Sequence, residues 1–233
     1  MNTPQIIAFD ADDTLWVNEP IFVKTQDRCK ELLAHYISPE IMDEKLYATE
    51  KKNLKIFGYG VKGFILSMIE TAIELSTGKI NGSEIQRIID LGKEMLEHPI
   101  HLLPNVQETI EQLKDDYELM VITKGDLFDQ ESKIARSGLA NYFSKIEIVS
   151  EKDVATYHAV FSKNKIDVKK VLMIGNSLKS DILPICELGG HAIHIPYHTT
   201  WVHETVSTHH SNGFEYGELA DISLLPDYLN GIK

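Results

Sequence analysis

The stretch from residue 6 to residue 16, Ile-Ile-Ala-Phe-Asp-Ala-Asp-Asp-Thr-Leu-Trp, restricts this chain more than any other. Ile6, Ile7, Ala8 and Phe9 are apolar without alternation, the pattern of a short strand buried on both faces of a parallel sheet. The run stops at Asp10, Asp12 and Asp13, followed by Thr14. Carboxylates crowded at the end of a buried strand repel one another and lose hydration, so positive charge is needed beside them. Oxygen-only donors favour Mg²⁺ over zinc for that task. Alternate residues of a strand share a face, so Asp10 and Asp12 are expected to look into one crevice while Ala11 looks away. The competing reading is a solvated Asp-rich turn that only caps the next helix. The rest of the chain decides between them.

A chain of 233 residues can bury a core domain and a smaller insertion. Hydrophobic residues at 43% and charged residues at 25% are ordinary for a globular protein. The formal charge of −12 provides no basic field, which argues against nucleic-acid or anionic-membrane partners. Small anionic substrates answer to local groups and remain compatible. Cys29 and Cys186 are far apart and in no CxxC pair, so they read as small apolar residues in a reducing compartment. No basic, then apolar leader and no stretch of membrane-spanning length is evident, so a cytoplasmic location is expected.

From about residue 19 to 97 no strand is expected. Helices are expected over 21–36 and 39–54, and again where Val61, Phe64, Ile65, Met68, Ala72 and Leu75 mark one helical face. Ser83 with Gln86 resembles a capping box opening a further helix. Four helices without strands form a small bundle, expected over 18–97 as an insertion into a core of 1–17 and 98–233. Beyond it, helices alternate with the short apolar strands 119–122, 146–149, 171–174 and 192–195. The polar stretch 205–217 is expected as a surface loop, before a short helix at 224–229. Such alternation predicts an α/β fold, a doubly wound, Rossmann-like parallel sheet. Asp10 and Asp12, Thr123, Lys152, and Asn176 with Asp181 each follow the carboxyl end of a separate strand, the edge where open parallel sheets bind ligands.

This pattern resembles the haloacid dehalogenase superfamily over nearly the whole chain. Its first motif, Asp-x-Asp-x-Thr, stands as Asp10 to Thr14; its second is Thr123; its third is a basic residue placed at Lys152; its fourth stands as Gly175-Asn176-Ser177-Leu178-Lys179-Ser180-Asp181. The insertion between the first two motifs matches members with an α-helical cap. Most members are phosphatases, so the resemblance implies Mg²⁺-dependent hydrolysis of a small phosphorylated metabolite through an aspartyl-phosphate. It implies Asp10 as nucleophile and Asp12 as proton carrier, with Thr123 and Lys152 holding the phosphoryl oxygens. Lys124, beside Thr123, is the alternative basic residue and a candidate substrate contact. The implied magnesium donors are Asp10, Asp12 through its backbone carbonyl, Asn176 and Asp181.

Two positions depart from the usual pattern. Asp13 stands where many members have glycine. Asn176 stands where aspartate is usual, which removes one negative charge and predicts weaker metal binding. A phosphomutase would share every core residue, and a noncatalytic protein binding a phosphorylated ligand is motivated by Asn176. A dehalogenase has no need of Asp12 or of magnesium. His194, His198, His203, His209 and His210 lack regular zinc spacing and read as loop residues. Gly58, Gly60 and Gly63 mark either an ordinary turn or a close approach, with Lys62 available to an anion. Oligomeric state is not encoded in any readable pattern.

Overall fold

The computed structural model describes residues 4–199, 201, 204 and 213–231. It divides into two compact units, one of residues 1–19, 100–124 and 130–233, the other of residues 20–99 and 125–129. The larger unit holds a parallel sheet of six strands: β1 (Ile6–Phe9), β2 (Glu118–Lys124), β3 (Lys145–Val149), β4 (Val171–Gly175), β5 (His191–His194) and β6 (Gly217–Glu218). Their order is β3-β2-β1-β4-β5-β6. From β1 the chain winds one way through β2 and β3 and the other way through β4 and β5. The reversal leaves a crevice beyond the carboxyl ends of β1 and β4, the usual ligand position in such sheets.

The period of two sorts the strand residues onto two faces. Ile7, Phe9, Leu119, Val121, Leu172, Ile174 and Ile193 pack with Val106, Ile110 and Leu113 of α5 (Val106–Leu113) and with Leu225 and Leu229 of α9 (Leu225–Gly231). Ile6, Ala8, Met120, Ile122, Val171 and Met173 pack against Tyr157, Val160 and Phe161 of α7 (Val154–Asn164) and Ile185 of α8 (Leu183–Glu187). Because both faces are covered, β1 and β4 read as unbroken apolar runs. The remaining helix beside the sheet, α6 (Leu127–Arg136), begins in the smaller unit and continues in the larger.

The smaller unit is built on α1 (Glu19–Leu33), α2 (Pro39–Phe57), α3 (Val61–Leu75) and α4 (Gly82–Glu97). Its core contains Cys29, Leu33, Met42, Leu46, Phe64, Met68, Ile88 and Met95. Gly92 lets α4 approach α3, since a Cβ there would lie 2.5 Å from Ile65 Cγ1. The capping box of α4 is not the pair expected from the sequence. Asn81 accepts from the amides of Ser83 at 3.0 Å and Glu84 at 3.1 Å, while Glu84 accepts from the Asn81 amide at 3.0 Å. Asparagine caps as well as serine does, so the helix opens two residues earlier. Lys62 is held at 2.9 and 3.0 Å by Asp126 of the same unit, and lies over the Phe128 ring.

Three further differences concern the larger unit and the boundary. Residues 125–129 belong with the helices rather than with the sheet. Gly217, expected at the end of a loop, forms with Glu218 a short parallel strand beside β5. Asp181 lies in a π-helical turn, Leu178–Ile182, rather than in a regular helix. Most of the expected surface loop, 205–212, lies outside the described residues, as do His203, His209 and His210.

Candidate active site

β1 ends by passing a backbone hydrogen bond from the Asp10 amide to the Ile174 carbonyl, 2.9 Å away, so the chain leaves the sheet with Asp10 at the reversal point. Asp10 is only 7% exposed. Lys152, itself 4% exposed, reaches between β1 and β4 and donates to Asp10 Oδ1 and, at 2.7 Å, to Asp181 Oδ1. The other Asp181 oxygen accepts from the Ser177 amide at 3.0 Å. Gly175 makes this fit possible, because a Cβ there would sit 2.3 Å from Asp181 Oδ2. Three residues remote in sequence thus form one buried ionic cluster.

The charges in that cluster do not balance. Burial, and then the neighbouring charge of Asp181, push the Asp10 carboxyl up to about 7, although Lys152 opposes both. Burial disfavours the Lys152 ammonium too, but Asp10 and Asp181 outweigh it and hold the group protonated far above its ordinary range. Further positive charge beside Asp10 would therefore favour its ionised form. Thr14 Oγ1 lies 3.2 Å from Asp10 Oδ2 and 3.1 Å from Asn176 Oδ1, so a carboxylate oxygen and an amide oxygen converge on one hydroxyl. Hard oxygen donors at a charge-deficient carboxylate suit magnesium. Among the described residues no group of three or more His, Cys, Asp or Glu side chains could hold a metal ion, so a magnesium site here would need the Asn176 amide oxygen as a donor. His194 steadies that residue: its Nε2 is 3.1 Å from the Asn176 carbonyl and its Nδ1 3.1 Å from Glu218.

Asp12 is placed differently from Asp10. Its carboxylate accepts from Trp16 Nε1 at 2.7 Å, from Gln130 Nε2 at 3.0 Å, and from Lys133 Nζ at 3.1 and 3.2 Å. Lys133 also donates to Asn18 at 2.9 Å. Thr123, 1% exposed at the end of β2, accepts from the same Gln130 nitrogen at 2.9 Å. Asp13 adopts a φ of 60°, the left-handed region where glycine has no steric penalty, and its carboxylate accepts from the amides of Asn18 and Glu19. Aspartate tolerates that conformation because it bonds the local backbone.

Lys124 is turned to other partners. It donates to Ser180 Oγ at 2.9 Å, pairs with Glu204, and lies 3.6 Å from Glu151. Glu204 also accepts from the hydroxyls of Ser177 and Ser180. Burial opposes its charge, yet Lys124 and the two serines bring its carboxyl down to about 2. Of the two candidate lysines, then, Lys152 contacts Asp10 and Asp181, whereas Lys124 contacts Glu204 and Ser180. Gln130, Lys133, Trp16 and Glu204 were not singled out from the sequence. Gln130 and Lys133 do carry a signal, being polar residues three apart on a helix that follows a motif strand. Glu204 lies in no local pattern.

A family description, haloacid dehalogenase-like hydrolase, matches residues 4–187. Among solved structures, a haloacid dehalogenase-like hydrolase from Xanthomonas campestris is 40% identical with a TM-score of 0.88, over 99% of this chain and 92% of that one. A 2-haloacid dehalogenase from Pseudomonas syringae is 21% identical, TM-score 0.64, over 99% of this chain and 100% of that one. A protein described as a predicted phosphoglycolate phosphatase from Haemophilus somnus is 18% identical, TM-score 0.65, over 98% and 99% of the two chains. The comparison with curated proteins finds no significant match.

Proposed function

The chain belongs to the haloacid dehalogenase-like hydrolases, and we propose that within this family it is a magnesium-dependent phosphatase of a small phosphorylated metabolite. The observation that carries the reading is Asp12, a second carboxylate two residues beyond the nucleophile and held by donors of its own. A carboxylate that displaces halide from carbon releases an anion that needs no proton. One that displaces an alcohol from phosphorus must have a proton delivered to the leaving oxygen. Asp12 answers the second need and not the first.

In the proposed reaction an Asp10 oxygen attacks phosphorus, forming the Asp10–phosphorus bond as the bond to the ester oxygen breaks. Protonated Asp12 gives its proton to that oxygen and the alcohol leaves. Water then attacks phosphorus, Asp12 takes its proton, the Asp10–phosphorus bond breaks, and inorganic phosphate departs. Trp16, Gln130 and Lys133 hold the Asp12 carboxyl in place for both transfers. Lys152 holds Asp10 in place and, with the Thr123 hydroxyl, receives the phosphoryl oxygens. Bound by Asp10, Asn176 and the Asp12 carbonyl, magnesium would supply the positive charge that the phosphoryl group and Asp10 require. Asp181, with a donor on each oxygen, acts through Lys152 and the Ser177 amide. Lys124, engaged with Glu204, supports the edge of the site.

We read the helical unit as the substrate-selecting cap. A cytoplasmic location is also part of the proposal: Cys29 and Cys186 are both free thiols, and among the described residues no helix is long and apolar enough to cross a membrane.

The test is phosphate release from a panel of phosphomonoesters with magnesium, run beside halide release from 2-haloacids and beside Asp10→Asn. Phosphate from at least one monoester, lost in Asp10→Asn, is the expected result. Halide release without phosphate release would assign the chain to the dehalogenases instead.

A further inference from the structure

Gln130 lies on α6 at 1% exposure, and its amide is unevenly used. Nε2 is within hydrogen-bond distance of three acceptors: Asp12 Oδ2 at 3.0 Å, Thr123 Oγ1 at 2.9 Å and the Lys124 carbonyl at 2.9 Å. An amide nitrogen has only two hydrogens. Oε1, by contrast, is buried without a partner among the described residues. A buried amide kept only for structure finds partners at both ends, because an unpaired buried carbonyl is destabilising. Here the orientation serves the nitrogen and sacrifices the oxygen.

We infer that Gln130 is a positioning residue, whose amide fixes the Asp12 carboxylate and the Thr123 hydroxyl relative to each other. The inference rests on the phosphatase reading above. A threonine hydroxyl has one hydrogen and two lone pairs. When Gln130 donates to a lone pair of Thr123, the single hydroxyl hydrogen stays available to a phosphoryl oxygen. The second amide hydrogen holds Asp12 on the side where the ester oxygen departs. One side chain, touching neither phosphorus nor the leaving group, thus aligns a phosphoryl-binding donor with the proton carrier.

The test uses the full chain with Gln130→Met, which keeps the shape and removes both ends of the amide. Kinetics are read on an alkyl phosphomonoester that the wild type hydrolyses and on p-nitrophenyl phosphate, whose leaving group needs little proton delivery. The melting temperature is expected to fall modestly, because loss of the donor to Asp12, Thr123 and Lys124 is offset in part by removal of the unpaired carbonyl. On the alkyl ester kcat is expected to fall at least about tenfold with KM within about threefold, and on p-nitrophenyl phosphate to fall distinctly less. A purely structural role predicts equal loss on both substrates; that result, or kcat within about twofold of wild type on both, overturns the inference. Should Gln130→Met not fold, Gln130→Leu removes the amide with a shorter apolar side chain and is expected to show the same split between the two substrates. A wild-type enzyme that releases no phosphate sinks the phosphatase reading itself, a result distinct from an active enzyme indifferent to Gln130.

Discussion

In the proposed reaction, Asn176 is the residue on which the metal chemistry would turn. It provides an amide oxygen where the family pattern has a carboxylate, and that oxygen, like Asp10 Oδ2, contacts the Thr14 hydroxyl. A charge added there would strengthen the attraction for a hard cation without altering the shape of the site. Asn176→Asp is therefore expected to lower the magnesium concentration giving half-maximal activity, by about tenfold, and magnesium titration of the activity reads it directly. An unchanged half-point would remove Asn176 from the donor set. At this scale the sequence was most informative where motif and strand coincided. Asp10, Lys152 and Asp181 are each legible as a polar residue just past an apolar run, and the fold joins them. The partners of Asp12 were not legible, because Gln130 and Lys133 face it from a helix whose rotation no motif records. Glu204 escaped for a different reason: its partners Lys124, Ser177 and Ser180 lie 80, 27 and 24 residues away.

Elements were legible in proportion to the strength of their periodicity. β1 and α3 span Ile6–Phe9 and Val61–Leu75, as their apolar spacing indicates. α4 opens at Gly82 because Asn81 and Glu84 form the box that Ser83 and Gln86 imitate. The two-residue β6 has too few side chains to show a period at all. Within α2, Glu50 illustrates a cost hidden in an amphipathic pattern. Burial alone raises its carboxyl to about 7. A carboxyl raised on folding binds its proton more tightly in the native state, so its contribution to stability declines as pH climbs from its ordinary value of 4.5 to about 7. Glu50→Gln removes that penalty. Thermal melts are expected to show the variant level with the parent at pH 4 and more stable at pH 8, by roughly 1–2 kcal/mol after allowance for partial exposure. A gain of equal size at both values would mean that charge burial is not the cause.

The molecule as a whole combines a widely shared scaffold with a local chemical choice. The same fold, at TM-scores of 0.64 and 0.65, is found in a 2-haloacid dehalogenase and in a protein described as a predicted phosphoglycolate phosphatase. Architecture therefore leaves open which bond is broken, and the decision rests with side chains at the reversal of the sheet. Both reactions begin with a carboxylate attacking an electrophile, at carbon in one and at phosphorus in the other. With Asp10 as the proposed nucleophile, they would differ in what it carries next. The most direct measurement is an acid quench of the enzyme during turnover with magnesium and a hydrolysed phosphomonoester, followed by mass analysis of the peptide containing Asp10. The account predicts a fraction of that peptide heavier by one phosphoryl group, released by mild base and missing in Asp10→Asn. Phosphate production with the modification on another residue, or with none trapped across the time course while Asp10→Asn remains active, would contradict it.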